Sequence, residues 1–300
     1  METALATTIC PLHSEAGPLL RRWLTTRGDL DLALATDPRL PLIVQRALVA
    51  GAVDQGVRCT ELGHPALQPK GRPAPSPASP ARDEQAAAAL ALVETLQLAE
   101  ESGAGRVVLY PWTLPLHTSI EELARQFALG ADPQVSTLVS QRQGIVATSM
   151  DGIRRTLDQT LPRAEAAGTV IGLCLSSVWP HQVPNSEEVF ALSEEFAGAP
   201  LGTVRASDWE HAAQAAFEAP PPPATSGPYR FLRLADACGL TVGLPLGCGE
   251  AQWQQCLRDA GEPPSGAVLA LDEHTSPAEL TLSLELLFER DAHPLAYTAQ

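Results

Sequence analysis

Short apolar, β-prone runs alternate with longer helical runs along the chain. The strand-length runs are "ALATTIC" (4–10), "LDLALAT" (30–36), "RCTEL" (58–62), "RVVLYP" (106–111), "TVIGLCL" (169–175), "LGTVRA" (201–206), "RFLRLAD" (230–236) and "AVLALD" (267–272). Between them, "DEQAAAALALVETLQLAEESGAG" stops at glycines, as a helix does at its C′ position. "NSEEVFALSEEF" places Glu188 three residues after Asn185, the spacing of a capping box. "SPAELTLSLELLFER" offers Ser276 as N-cap, Pro277 at N1 and Glu279 at N3, and Leu280, Leu284 and Leu287 then share one apolar face.

This alternation predicts a parallel α/β fold, and eight strands predict a (β/α)8 TIM barrel spanning residues 1–300 as one domain. The rival is a doubly wound open sheet. It lacks its usual support, because no G-x-G-x-x-G follows the first strand and no G-x-x-x-x-G-K-[ST] occurs. Three connections are longer than a barrel needs. They are the Pro/Ala/Ser-rich 63–83, the stretch 112–151 with room for two short helices, and the polyproline-like 217–228. Each follows a strand, so each is expected at the C-terminal face, where ligands bind.

Composition narrows the function. A chain that is 45% hydrophobic can bury a large core, and 5% aromatic residues with 22 Gly suit small-residue helix–sheet packing. The net charge of −15 disfavours a DNA or RNA partner, whose phosphates are held by Lys and Arg; solubility is the plainer meaning of the acidity. Cys10, Cys59, Cys174, Cys238, Cys248 and Cys256 form no C-x-x-C pair, which suggests reduced thiols. The N-terminal residues lack a basic segment and a full apolar segment, and no apolar run approaches membrane-spanning length. The expectation is a cytoplasmic protein with a small-molecule ligand and neither a nucleic-acid nor a membrane partner. A homo-oligomer is left open.

The C-terminal third carries a more specific signal. "FLRLAD", "PLGCGEAQW", "CLRDAGEPPSGAVLALDE" and "SPAELTLSLELLFER" follow one another in the order H-V-H-L-K-D, P-L-G-x-G-x-x-D-W, helix, G-P-L-x-L-E-like strand, P-E-E-x-x-x-S-L-x-x-L. Pro245, Leu246, Gly247, Gly249 and Trp253 fall in register. In these residues the chain resembles the xylose isomerase-like family of sugar-phosphate isomerases and epimerases. "LPRAEAAGTVIGLCLSSVWP", "GVRCTELGHP" and "RVVLYPW" resemble earlier family strands more loosely.

The resemblance implies a divalent metal at the barrel mouth, held by Glu, Asp, His and Glu from the last four strands, with the glutamates moving protons. Here Cys174 stands where the first glutamate should be, Phe231 or Arg233 where the histidine should be, and Leu271 at the last glutamate with Asp272 one place on. In the sixth strand "DWEH" keeps Asp208 and His211 at the family's D-x-G-H spacing, while alignment on Leu201–Gly202 puts Ala206 there instead. The expected cofactor is therefore none.

Asp208 and His211 form either an acid/base pair or the start of a capped helix. Arg233 on an inward-facing strand needs an anionic ligand or a carboxylate, Glu61 or Asp272. His211 as proton carrier, Asp208 orienting it and Arg233 holding an anionic or enolate oxygen make the expected catalytic set. Tyr110, Trp112, His64, Cys174, Asp236 and Asp272 are the expected substrate-binding residues. For each, packing or solvation is the plainer alternative.

Three functions stay open. One is metal-independent acid/base chemistry on a small oxygenated substrate (isomerase, epimerase, lyase or cyclase). The second is a non-catalytic ligand- or partner-binding barrel, whose mouth Phe231, Leu271 and Trp209 would plug. The third is a metalloenzyme with substituted ligands His64, Cys174, Asp208 and His211.

Overall fold

The computed structural model describes residues 3–8, 30–35, 42–54, 58–64, 75–117, 119, 122–123, 125–126, 135–176, 178, 180–217, 230–259, 266–270 and 275–292. Eight parallel strands close into a barrel: β1 (Thr3–Thr8), β2 (Leu30–Ala35), β3 (Cys59–Gly63), β4 (Arg106–Leu109), β5 (Val170–Cys174), β6 (Leu201–Ala206), β7 (Arg230–Leu234) and β8 (Gly266–Ala270). Closure is explicit, since β8 pairs with both β7 and β1. The eight runs expected from the sequence are these strands, with ends shifted by a few residues.

Helices α1 (Leu42–Asp54), α2 (Arg82–Ser102), α3 (Val135–Ala166), α4 (Ser186–Glu195), α5 (Ser207–Phe217), α6 (Trp253–Asp259) and α7 (Pro277–Ala292) lie between strands in the chain. Their termini follow local chemistry. The α2 helix ends at Gly103 (φ 73), which reaches the left-handed region without a Cβ clash. Asn185 and Glu188 complete the capping box of α4. Ser276 and Glu279 exchange the same pair of bonds at α7. Among the described residues, the stretch 112–151 departs from the two short helices it has room for. Residues 122–123 and 125–126 are helical, but from Val135 onward the chain belongs to the 32-residue α3.

Period-two alternation sorts the strand side chains into two cores. Leu62, Val107, Leu109, Ile171, Leu173, Leu201, Leu232, Leu234 and Leu269 join helix residues such as Leu92, Leu96, Ile153, Leu157, Leu280 and Leu284 in one large cluster. Val108, Cys174, Val204, Ala206 and Phe231 form a second, smaller cluster inside the barrel. Gly172 permits that second packing, because a Cβ there would sit 2.6 Å from Val204 Cγ2. Among the described residues no helix is long and apolar enough to cross a membrane.

Candidate functional site

The inward register continues from the apolar cluster into a polar layer. Glu61 on β3 and Arg106 on β4 are directly paired positions, as are Ala206 on β6 and Arg233 on β7. Arg233 Nη1 donates to Glu61 Oε1 at 3.3 Å, and Arg106 Nε lies 3.5 Å from Glu61 Oε2. One carboxylate thus stands between two guanidiniums. Arg233 also lies over the Tyr110 ring at 5.4 Å, and Arg106 over the Phe231 ring at 4.8 Å. Flat aromatic faces carry negative potential and accept such cations.

The rim is built by α5 and the segment after β7. β6 runs into α5 without a loop, so Ser207 and Asp208 begin the helix at the strand's C-terminal end. Ser207 Oγ donates to Ala235 O (2.6 Å) and accepts from Ala235 N (3.1 Å), tying the start of α5 to the end of β7. Asp208 is buried, and its Oδ2 accepts from Gly243 N at 2.9 Å. Gly243 belongs to a ribbon of Asp236–Cys238 and Thr241–Leu244 that folds back beside α5. Trp209, half-buried, meets Tyr110 with ring centroids 5.9 Å apart.

Burial controls the ionisation of this layer. It pushes the Asp208 carboxyl up to about 6, against the opposing pull of Arg233 and of backbone N–H donors at Gly243 and the helix start. Burial pushes Tyr110 up to about 12 and the Cys174 thiol further still, so both stay protonated. Asp208 is thereby brought toward neutral pH.

Several expected residues are placed elsewhere. His211 Nε2 makes no hydrogen bond and lies 4.0 Å from Glu250 Oε2, while Asp208 Oδ2 is held by Gly243 N. His64 follows inward Gly63, so its Nδ1 turns outward to Thr95 Oγ1 on α2 at 2.9 Å; burial lowers it to about 4, leaving it neutral. Trp112 sits in a two-residue ribbon with Gln182–Val183 and packs on the outer core. Cys174 is packing inside the barrel.

Asp236 is the anchor of the following loop. Its Oδ1 accepts from Ala237 N (2.9 Å) and Ala251 N (2.8 Å), and its Oδ2 from Gly247 N (3.0 Å) and Gly249 N (2.9 Å). Four donors fill its lone-pair sites, so it has none to offer a substrate. Gly249 is required there, since a Cβ would lie 2.4 Å from Ala237 O. Asp272 lies outside the described residues. Sequence reasoning missed Arg106 and gave Glu61 only a minor part. The strand parity of Glu61 and Arg106 was available as a signal, but their pairing across β3 and β4 was not.

No family model and no curated protein matches the sequence. Solved structures do. A D-tagatose 3-epimerase-like protein aligns with TM-score 0.67 and 15% identity over 97% of each chain. A Thermus thermophilus protein soaked with zinc chloride gives TM-score 0.61 and 21% identity over 96% of this chain and 99% of its own. The IolI protein with a bound zinc atom gives 0.64 and 12% over 99% and 100%.

The described residues of the mouth do not make a set that fits such a cation. Arg233 carries positive charge into the mouth, Cys174 is packed among apolar residues, and among the described residues no three His, Cys, Asp or Glu converge. The substituted set His64, Cys174, Asp208 and His211 is dispersed, because His64 and His211 turn to Thr95 and Glu250. In architecture, from barrel closure to near-complete chain coverage, this chain has the fold of the xylose isomerase-like TIM-barrel epimerases.

Proposed function

We propose that the barrel mouth performs metal-independent acid/base chemistry on a small oxygenated substrate, with Asp208 as the proton carrier and Arg233 stabilising negative charge. The carrying observation is Asp208 itself, a buried carboxyl at a strand's C-terminal end, raised toward neutral pH by burial and within electrostatic reach of Arg233. As a carboxylate it removes a proton from carbon next to a carbonyl. The electron pair moves onto the carbonyl oxygen, and Arg233 stabilises the enolate. The hydroxyl proton on the deprotonated carbon passes to the former carbonyl oxygen, and the same carboxyl returns its own proton to the former carbonyl carbon on the same face, so the carbonyl moves by one carbon. A single carrier suits isomerisation better than epimerisation, which needs proton donors on opposite faces.

The half-buried Tyr110, Trp209 and Arg233 support a ligand-accessible mouth over a plugged one, while Phe231 packs in the apolar layer beneath. The test is proton exchange at carbon. Chelator-treated protein is incubated in D2O with a panel of aldoses, ketoses and hydroxy-keto acids, and C–H loss is read by NMR. Exchange by the wild type that Asp208→Asn abolishes supports the reading. Exchange that appears only when a divalent cation is restored, or that survives D208N, refutes it.

A further inference from the structure

The polar layer is short of negative charge in one particular place. Arg233 and Arg106 converge on Glu61, yet neither contact is a good ion pair. The Arg233 bond is long at 3.3 Å, and Arg106 Nε at 3.5 Å makes no hydrogen bond, leaving Nε and Glu61 Oε2 buried without hydrogen-bond partners. A carboxylate facing a single guanidinium settles into a two-bond fork at about 2.8 Å. Arg205–Glu210 and Arg142–Glu188 in this same chain do so, with both bonds between 2.6 and 2.8 Å. Glu61 is instead divided between two cations and satisfies neither. Both its position and Arg106 are deeply buried, whereas Arg233 is the more exposed of the two cations, with 17% of its side chain accessible.

We propose that Glu61 is a placeholder: a substrate carboxylate takes its position on Arg233, and Glu61 falls back onto Arg106 in a closed fork. The ligand class is a small hydroxycarboxylate. Its carboxylate and the oxygen on the next carbon together present the two acceptors that a guanidinium fork spans, against the flat support of Tyr110. A phosphate group is disfavoured, because Asp208 lies in the same mouth and no Lys joins Arg106 and Arg233 among the described residues of this layer. This deepens the reading of the mouth as a ligand site and gives Glu61 a positioning role that a plain structural ion pair lacks.

The experiment is a calorimetric titration of the full chain with glycolate, with glycolamide as neutral isostere and inorganic phosphate as the second anion. No turnover is needed, so binding without exchange chemistry would leave this inference standing and remove the enzyme reading, and the reverse holds equally. Glycolate is expected to bind, glycolamide not to, and phosphate to bind more weakly than glycolate. Glu61→Gln removes the competitor and should tighten glycolate by about tenfold, equivalent to roughly 1.4 kcal/mol. Arg233→Met should abolish binding and Arg233→Lys, a point charge without a fork, should weaken it. Should E61Q fail to fold, the two Arg233 variants and the ligand series decide. Absence of glycolate binding by the wild type, equal binding of glycolamide, tighter phosphate binding, or a natively folded E61Q that binds glycolate less well would each overturn the proposal.

Discussion

Replacing Asp208 by Asn isolates the electrostatic strain in the mouth. The Asp208 carboxyl is pushed from an ordinary 3.8 up to about 6, so the folded protein prefers it protonated. Roughly two pH units at about 1.4 kcal/mol each means that carrying its charge costs the folded state about 3 kcal/mol above pH 6. The sign follows from proton counting. Between about pH 4 and 6 the folded protein binds more protons at this site than the unfolded chain, so this contribution to stability falls as pH rises through that window and is flat above it. Asn keeps an oxygen that can accept from Gly243 N and removes the charge. D208N should therefore be more stable than the wild type at pH 7.5, by up to about 3 kcal/mol, with the difference vanishing toward pH 4. Urea unfolding followed by circular dichroism across pH 4–8 measures this. A D208N chain with the wild type's pH dependence, or a lower stability at pH 7.5, would refute the assignment of a raised Asp208. Gained stability with lost carbon-proton exchange is the signature of a group held in strain for chemistry.

Other outcomes follow from the same geometry. Carbon-proton exchange should rise with pH through about 6, because the ionised form of Asp208 is the base; a pH-independent rate would remove it from that role. Asp236→Ala removes the acceptor of four backbone N–H groups and should destabilise the fold by at least about 3 kcal/mol in urea titrations. Gly172→Ala forces a Cβ to 2.6 Å from Val204 Cγ2 and should cost about 1–3 kcal/mol by overpacking, with no change in secondary-structure content by circular dichroism. In the folded protein, an aromatic disulfide reagent should label exposed Cys238 and Cys248 rapidly, with buried Cys59, Cys174 and Cys256 reacting only after denaturation.

The strands and several helix ends were legible because they depend on local signals. An asparagine followed three residues later by glutamate, or a glycine after an Ala/Leu-rich run, states a helix boundary without tertiary help. The resemblance of "PLGCGEAQW" to a family segment was legible for a related reason. Gly247 and Gly249 bring their N–H groups to Asp236, and Gly249 leaves no room for a side chain. That same motif misled on function, since a conspicuous Asp beside glycines was fully used within the loop. The site was less legible because its members meet across strands distant in sequence. Glu61 and Arg233 are 172 positions apart; the inward phase of Arg233 pointed to Glu61 as one of two carboxylates and the contact is there, but nothing announced Arg106 as a second guanidinium on the same carboxylate. His64 was expected to face a substrate, but it keeps the outward phase of Leu62 just past Gly63, the last β3 residue, and meets Thr95.

The separation of the two apolar clusters explains how such a scaffold can carry a mouth of unusual composition. The larger cluster, between strands and helices, draws on outward side chains of β3 to β8 and on the helices, so most of the apolar burial stabilising the barrel is independent of inward residues. The inward positions then answer to a different demand. Val108, Cys174, Val204, Ala206 and Phe231 fill part of the interior, and the charged inward residues around them must satisfy their own charge. Glu61, Arg106, Arg233 and Asp208 do that incompletely, with two long contacts and one carboxyl held near neutrality. A purely structural layer gains nothing from being left this way, because shorter forks of the kind seen at Arg205–Glu210 are within the chain's repertoire. Residual charge frustration inside a barrel whose outer core is well packed is what the proposed anionic ligand on Arg233 would relieve.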